Sequence, residues 1–175
     1  MKSVIPPILM VDDEPNMRTT VSELLMDDGY MVDVAESAEQ ALEMLEAPGS
    51  AYFVMITDGR LGGMSGYELL KRTREERPQM AVILITAFAT PKLAVQAIQS
   101  GAVDYLSKPF APEELIHAVD RCREHYNLSE ENKTLRARPS TGSQIYQLHQ
   151  IVGDAPKMVD LRKFIETVAP TDSTV

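Results

Sequence analysis

The sequence predicts an α/β protein built on a doubly wound, five-stranded parallel sheet and extended by a long C-terminal helix. Three observations point there. Short apolar runs alternate with longer amphipathic stretches five times over, the rhythm of successive strand–helix units. Four of the five runs end on a polar residue able to do chemistry, namely Asp12, Asp58, Thr86 and Lys108. Finally, residues 113–138 contain neither Pro nor Gly, leaving room for one uninterrupted helix of up to 26 residues.

Each element has its own signal. Ile8-Leu9-Met10-Val11 is a compact apolar run. Pro15 then suits a first helical turn, and Met17, Val21, Leu24 and Leu25 recur at helical spacing as far as Gly29. Met31–Ala35 reads as the second strand, and Ser37 followed by Gln40 is a capping-box pattern opening a helix faced by Ala41, Leu42 and Leu45. Tyr52–Thr57 is the third strand, stopping at Asp58. A glycine-bearing loop, 59–66, leads to a helix carrying Leu69 and Leu70 and ending before Pro78. Ala81–Thr86 is continuously apolar until its last residue, as a strand covered by helices on both faces should be. Pro91–Ser100, closed by Gly101, is a helix, and Val103–Ser107 is the fifth strand, followed by Lys108-Pro109, a natural place for a cis peptide. Parallel strands joined by right-handed crossovers put the ligand site beyond their carboxyl ends.

Within the long helix, Leu115, Val119, Cys122 and Tyr126 follow heptad spacing, which predicts a short coiled-coil seam between two copies; Leu128 and Leu135 mark a second, shifted stripe. Pro139–Ser143 reads as a linker. The stretch 151–175 holds one amphipathic helix, with Met158, Leu161, Ile165 and Val168 on a face that has no core of its own to bury against. The expected organisation is therefore a domain over 1–125, a helical linker over 126–150, and the truncated start of a second domain over 151–175.

Composition narrows the function. Of 175 residues, 26 are Asp or Glu and 17 are Lys or Arg, for a net charge of −9. The whole deficit falls in residues 1–125, with 20 acidic against 11 basic side chains, and that surface offers no footprint for nucleic-acid phosphates. A lone cysteine, Cys122, excludes an internal disulfide framework, and no apolar run is long enough to span a bilayer; a cytoplasmic location is expected, with no membrane partner. His117, His125 and His149 lack metal-ligand spacing.

The chemistry gathers at the strand ends. Asp12 and Asp13 follow the first strand and Asp58 the third; if these strands are neighbours, the carboxylates meet at one edge and suit a divalent cation, Mg²⁺ above all. Thr86 adds a hydroxyl donor and Lys108 an ammonium. A carboxylate nucleophile, a cation, a hydroxyl and an ammonium are the parts for taking a phosphoryl group onto Asp58.

Taken in order, Val11-Asp12-Asp13-Glu14, Asp58–Gly66, Ile85-Thr86-Ala87 and Lys108-Pro109-Phe110 resemble the motifs of a response-regulator receiver domain over about residues 5–125. The resemblance implies the flavodoxin-like strand order 2-1-3-4-5. It implies Asp58 as phospho-acceptor, with Mg²⁺ held by Asp13, Asp58 and the backbone carbonyl of Arg60, and Asp12 helping through water. Thr86 and Lys108 would contact phosphoryl oxygens, and Tyr105 would be the aromatic switch residue moving with Thr86. One departure stands out: receivers usually carry Pro where this chain has Gly62, which with Gly59 and Gly63 makes for a more flexible loop. Residues 151–175 resemble the opening of the AAA+ domain of NtrC-type transcriptional activators, which remodel sigma-54 RNA polymerase.

By these resemblances the chain is an N-terminal fragment whose partners are a sensor histidine kinase and a second copy of itself. Sigma-54 RNA polymerase and DNA would be engaged through domains absent from it. No G-x-x-x-x-G-K-[ST] motif occurs, so no chemistry beyond self-phosphorylation and self-dephosphorylation is expected of this stretch. Two other readings compete. A haloacid-dehalogenase-type phosphohydrolase also uses aspartate, Mg²⁺ and lysine, but places its nucleophile after the first strand and leaves Asp58 without a task. A receiver-like scaffold that takes no phosphate has only Gly62 in its favour.

Overall fold

A computed structural model describes residues 5–137. Five parallel strands, β1 (Ile8–Val11), β2 (Val32–Ala35), β3 (Val54–Asp58), β4 (Ala81–Thr86) and β5 (Asp104–Ser107), form one sheet in the order β2-β1-β3-β4-β5. Five helices alternate with them: α1 (Pro15–Asp27), α2 (Ala38–Glu46), α3 (Gly66–Glu76), α4 (Pro91–Gln99) and α5 (Pro112–Ala137). One compact unit ends at Glu130. The expectations for 138–175, linker and second-domain start alike, lie outside the described residues.

The strands are apolar on both faces because both faces are covered. Ile8, Met10, Val54, Ile56, Ile83 and Ile85 point to one layer, where they meet Val21 and Leu25 of α1 and Leu115, Ala118, Val119 and Cys122 of α5. Their neighbours Leu9, Val11, Met55, Val82 and Leu84 point to the other, against α2, α3 and α4. This period-two division places every residue of β1 and β3 in the interior. Edge strand β2 is correspondingly mixed, with only Ala35 buried.

β2 and β5 each begin one residue later than the sequence reading, at Val32 and Asp104, and β3 differs at both ends. β3 begins at Val54 and includes Asp58, which pairs in register with Ile85, so the aspartate is the last residue of the strand and not the first of a loop. Tyr52 lies outside β3, its hydroxyl bonded to Asp33 at 3.0 Å. The cap of α2 is also rearranged. Ser37 Oγ accepts from Gln40 N as expected, but the Gln40 side chain accepts from Glu36 N at 2.7 Å instead of closing back on Ser37.

A complete capping box sits at α3, where Ser65 Oγ accepts from Glu68 N and the Glu68 carboxylate accepts from Ser65 N at 3.0 Å. That bond from Ser65 N, reinforced by its hydroxyl, holds Glu68 below the usual carboxylate range. The helix it starts is pressed onto the end of β3. A Cβ on Gly66 would lie 1.9 Å from the Asp58 carbonyl oxygen, and Gly66 N donates to Gly59 O at 3.2 Å.

The proposed seam on α5 needs correction. Leu115, Val119 and Cys122 are at most 2 % exposed, and with Tyr126 packed beside them they form part of this chain's own core. Tyr126 tilts against Phe53, which stacks on Tyr30. Heptad spacing and the stripe of an amphipathic helix on a sheet coincide over about three turns, and the sheet claims the residues. Leu115, Val119 and Cys122 have no surface left for an intermolecular seam, and Tyr126 is half-buried.

Two outcomes follow. Gly66→Ala should cost about 3 kcal/mol or more, read from the urea midpoint, because backbone occupies the space a methyl would need. Burial pushes the Cys122 thiol up to about 12, so a disulfide reagent at pH 8 should leave the native thiol intact and titrate one thiol after denaturation.

Candidate functional site

The carboxyl ends of β1, β3 and β4 stand side by side, with Val11 beside Thr57 and Asp58 beside Ile85. The residue after β1 and the last residue of β3, Asp12 and Asp58, are buried to 1 % and 9 % exposure. Two such carboxylates repel strongly unless a positive charge lies between them. Lys108, just after β5, supplies it: Nζ lies 2.9 Å from Asp12 Oδ2 and 2.5 Å from Asp58 Oδ2. The lysine is anchored at its own backbone, where Lys108 N donates to Thr86 O at 2.8 Å, and the Lys108–Pro109 peptide is cis. Burial alone would lower the lysine pKa; the hydrogen bonds and charges of Asp58 and Asp12 outweigh it and hold the ammonium above its ordinary value.

The remaining oxygens are also engaged. Asp12 Oδ1 accepts from Glu14 N at 2.9 Å, and the Arg18 guanidinium donates to the Asp12 carbonyl at 2.6 Å. Asp58 Oδ1 accepts from Arg60 N at 2.8 Å, and Gly59 N ties the following turn to Ile85 O at 2.7 Å. Asp13 is exposed and turns toward the β3–α3 loop, where Gly62 N donates to its Oδ2 at 3.2 Å. A proline at this position has no N–H to give. The same loop is fastened to α2 by Met64 N, which donates to Glu39 Oε1 at 3.1 Å.

Thr86 is buried, its Oγ1 accepting from Phe88 N at 3.2 Å. Across the mouth of the site the Arg60 guanidinium lies 3.5 Å from the Phe88 ring centroid, a cation–π contact between two exposed side chains on different loops. Tyr105 on β5 is half-buried, with its hydroxyl turned inward.

Thus Asp12, Asp58 and Lys108 meet directly, Thr86 borders them on the next strand, and Asp13 stands at the rim. Among the described residues no three His, Cys, Asp or Glu side chains are drawn together as a metal cage. The charge between Asp12 and Asp58 is the lysine's. Carboxylate oxygens at the sheet edge are nonetheless the hard donors that Mg²⁺ takes.

Several contributors were not legible as site residues. The Gly62 amide and Glu39 act through loop geometry that spacing does not encode. Arg18 lies six residues beyond Asp12, in the first turn of α1, and reads as solvated. Tyr67, whose charge environment includes Asp58, sits in a segment that a Ser-x-x-Glu signature could have marked as a helix start.

Paired aspartates and a lysine at the carboxyl edge of a 2-1-3-4-5 sheet define the class of phosphate-responsive receiver modules. The family model for the response regulator receiver domain matches residues 8–120, and the chain belongs to that family. It is 33% identical over 173 residues to the C4-dicarboxylate transport transcriptional regulatory protein DctD of Rhizobium meliloti (strain 1021), covering 99% of this chain and 36% of that protein. It is 30% identical over 168 residues to the DNA-binding transcriptional regulator NtrC of Escherichia coli (strain K12), covering 96% of this chain and 34% of the relative. The crystal structure of NtrX from Brucella abortus superimposes with a TM-score of 0.68 at 32% identity, over 98% of this chain and 36% of the other. The chain therefore spans about a third of the length of the curated relatives it matches.

Lys108→Met should leave two facing buried carboxylates and lower stability by about 2 kcal/mol at neutral pH, measured by urea unfolding. Because the folded ammonium has a raised pKa, its contribution is complete below the ordinary lysine value and fades as the pH climbs through the raised one. The phenols of Tyr30 and Tyr67, pushed up chiefly by burial, act in the same direction from about pH 10 upward. Wild-type urea midpoints should fall above about pH 10, and more gently in Lys108→Met.

Proposed function

We propose that Asp58 accepts a phosphoryl group from a sensor histidine kinase and that this modification governs an attached transcription-activating machine. The observation that carries the reading is the Asp58 carboxylate, fixed at a strand end between Lys108 Nζ and Arg60 N. Both donors orient the carboxylate so that one oxygen can form the new O–P bond while the phosphohistidine P–N bond breaks and the imidazole carries away the electron pair. Lys108 then faces added negative charge and Thr86 can turn its hydroxyl to a phosphoryl oxygen. Asp13, Asp58 and the Arg60 carbonyl would hold Mg²⁺, with Asp12 assisting through water; the ion supplies charge neutralisation for the incoming phosphoryl oxygens. When it binds, Asp13 can keep its Gly62 contact through one oxygen and offer the other.

The wider role follows from the relatives, which are named as transcriptional regulators. We read residues 1–125 as the receiver, 126–150 as a helical linker and 151–175 as the start of an AAA+ ATPase domain. The whole protein would then act on sigma-54 RNA polymerase and DNA, as a homodimer, in the cytoplasm. No described helix is long and apolar enough to cross a membrane. A dimer would use the outer face of α5, where Leu128 is 60 % exposed, or other surfaces, since Leu115, Val119 and Cys122 are buried in this chain's own core.

The hydrolase reading is disfavoured at its own nucleophile. Asp12, at 1 % exposure against 9 % for Asp58, is the less accessible of the two carboxylates, and a nucleophile there leaves Asp58 without a task. Acetyl phosphate with Mg²⁺ should add one phosphoryl group to Asp58, seen by mass spectrometry at neutral pH, and Asp58→Asn should take none. Sedimentation of the phosphorylated or beryllofluoride-treated chain should differ from the untreated one, with no difference in Asp58→Asn. An unmodified Asp58 would return the chain to the scaffold reading.

A further inference from the structure

We propose that Tyr67 is a second aromatic member of the switch, a positioning residue that faces Tyr105 across the interior beside the acceptor. The inference rests on the reading of Asp58 as that acceptor and adds to it a residue on α3. Three side chains converge on Gly59, the residue after Asp58. A Cβ built there would lie 3.0 Å from Tyr67 Cε2, 3.1 Å from Leu84 Cδ2 and 3.2 Å from Thr86 Cβ. Tyr67 is thus in the same packing layer as the hydroxyl-bearing threonine, held from the far side by the α3 cap and by Gly66 against β3. Tyr105 packs into the same core layer from β5.

The hydroxyls decide what this contact is for. The oxygens of Tyr67 and Tyr105 are both buried, and neither has a hydrogen-bond partner of sound geometry. The two phenols lie beside one another without being aligned to bond. For packing alone, Phe at 67 would fill the same volume without burying a hydroxyl. A polar pair left unsatisfied in a dry interior has two discrete ways to be satisfied, a mutual bond or a turn of the half-buried Tyr105 toward water. That is the physical content of a two-state element. The Tyr67 phenol also senses the acceptor: burial, the neighbouring Tyr105 and then the Asp58 charge all favour its neutral form. A phosphoryl group on Asp58 makes that charge more negative, and movement of Thr86 toward it empties space next to Gly59 into which either ring can shift.

The test uses the full 175-residue chain. Beryllofluoride with Mg²⁺ is titrated and followed by NMR in the wild type, Tyr67→Phe, Tyr105→Phe and the double variant. Tyr67→Phe keeps the ring, so its urea midpoint should be unchanged or higher. Its half-saturating beryllofluoride concentration should change by about threefold or more, and the same substitution in the Tyr105→Phe background should change it by less than about 1.5-fold. Equal changes in the two backgrounds, or none in either, would overturn the role of Tyr67. If wild-type chain ignores beryllofluoride, the Asp58 reading fails instead, and the unliganded Tyr105 ring decides for Tyr67. Loss of its protection from a soluble paramagnetic probe in Tyr67→Phe would support the pairing, and unaltered protection would refute it.

Discussion

Everything at the carboxyl edge of the sheet depends on one ammonium shared by two buried carboxylates. Lys108 Nζ is the positive charge between Asp12 and Asp58, which meet at the ends of adjacent strands at 1 % and 9 % exposure. The lysine in turn is held by Thr86, whose carbonyl receives its amide. Asp58, its counter-charge and the threonine are therefore one mechanical unit spanning β1, β3, β4 and β5. A charge added to Asp58 changes what Lys108 must balance, and the threonine that fixes the lysine backbone lies on the way to Tyr105.

Much of the fold was legible because burial on both faces leaves a plain mark. Ile83 and Leu84 must each be apolar when one faces α5 and the other α2 to α4, so β4 reads as a continuous run. The strand-end aspartates, Thr86 and Lys108 were legible for a related reason: a polar residue closing an apolar run has few structural roles to play. What the pattern could not carry was distance between elements. Heptad spacing in α5 is degenerate with the inner stripe of a helix lying on a sheet, and only the third dimension shows that Leu115, Val119 and Cys122 are committed to the core. Likewise nothing in the string links Glu39 to Met64, or Asp13 to Gly62, since these bonds join side chains to loop amides 25 and 49 residues away.

Gly62 illustrates how a missing residue type can act. The substitution for the usual proline removes a rigid φ and also restores an amide proton, and that proton is spent on Asp13. Flexibility expected from three nearby glycines is thus opposed by two side-chain latches and a capped helix start. Loop freedom here is set by what the amides find to bond, more than by the number of glycines.

The commitment of the inner α5 stripe to the core divides the helix lengthwise into two jurisdictions. One side answers to the sheet: Tyr30 through Asp120, Phe53 through Tyr126, and the aliphatic row between them. The other carries the exposed Glu124 and Leu128, and beside them Arg121 pairs with Asp104 at the start of β5. A sequence can therefore rewrite its choice of partner along the outer side, residue by residue, while the machinery that senses phosphate stays as it is.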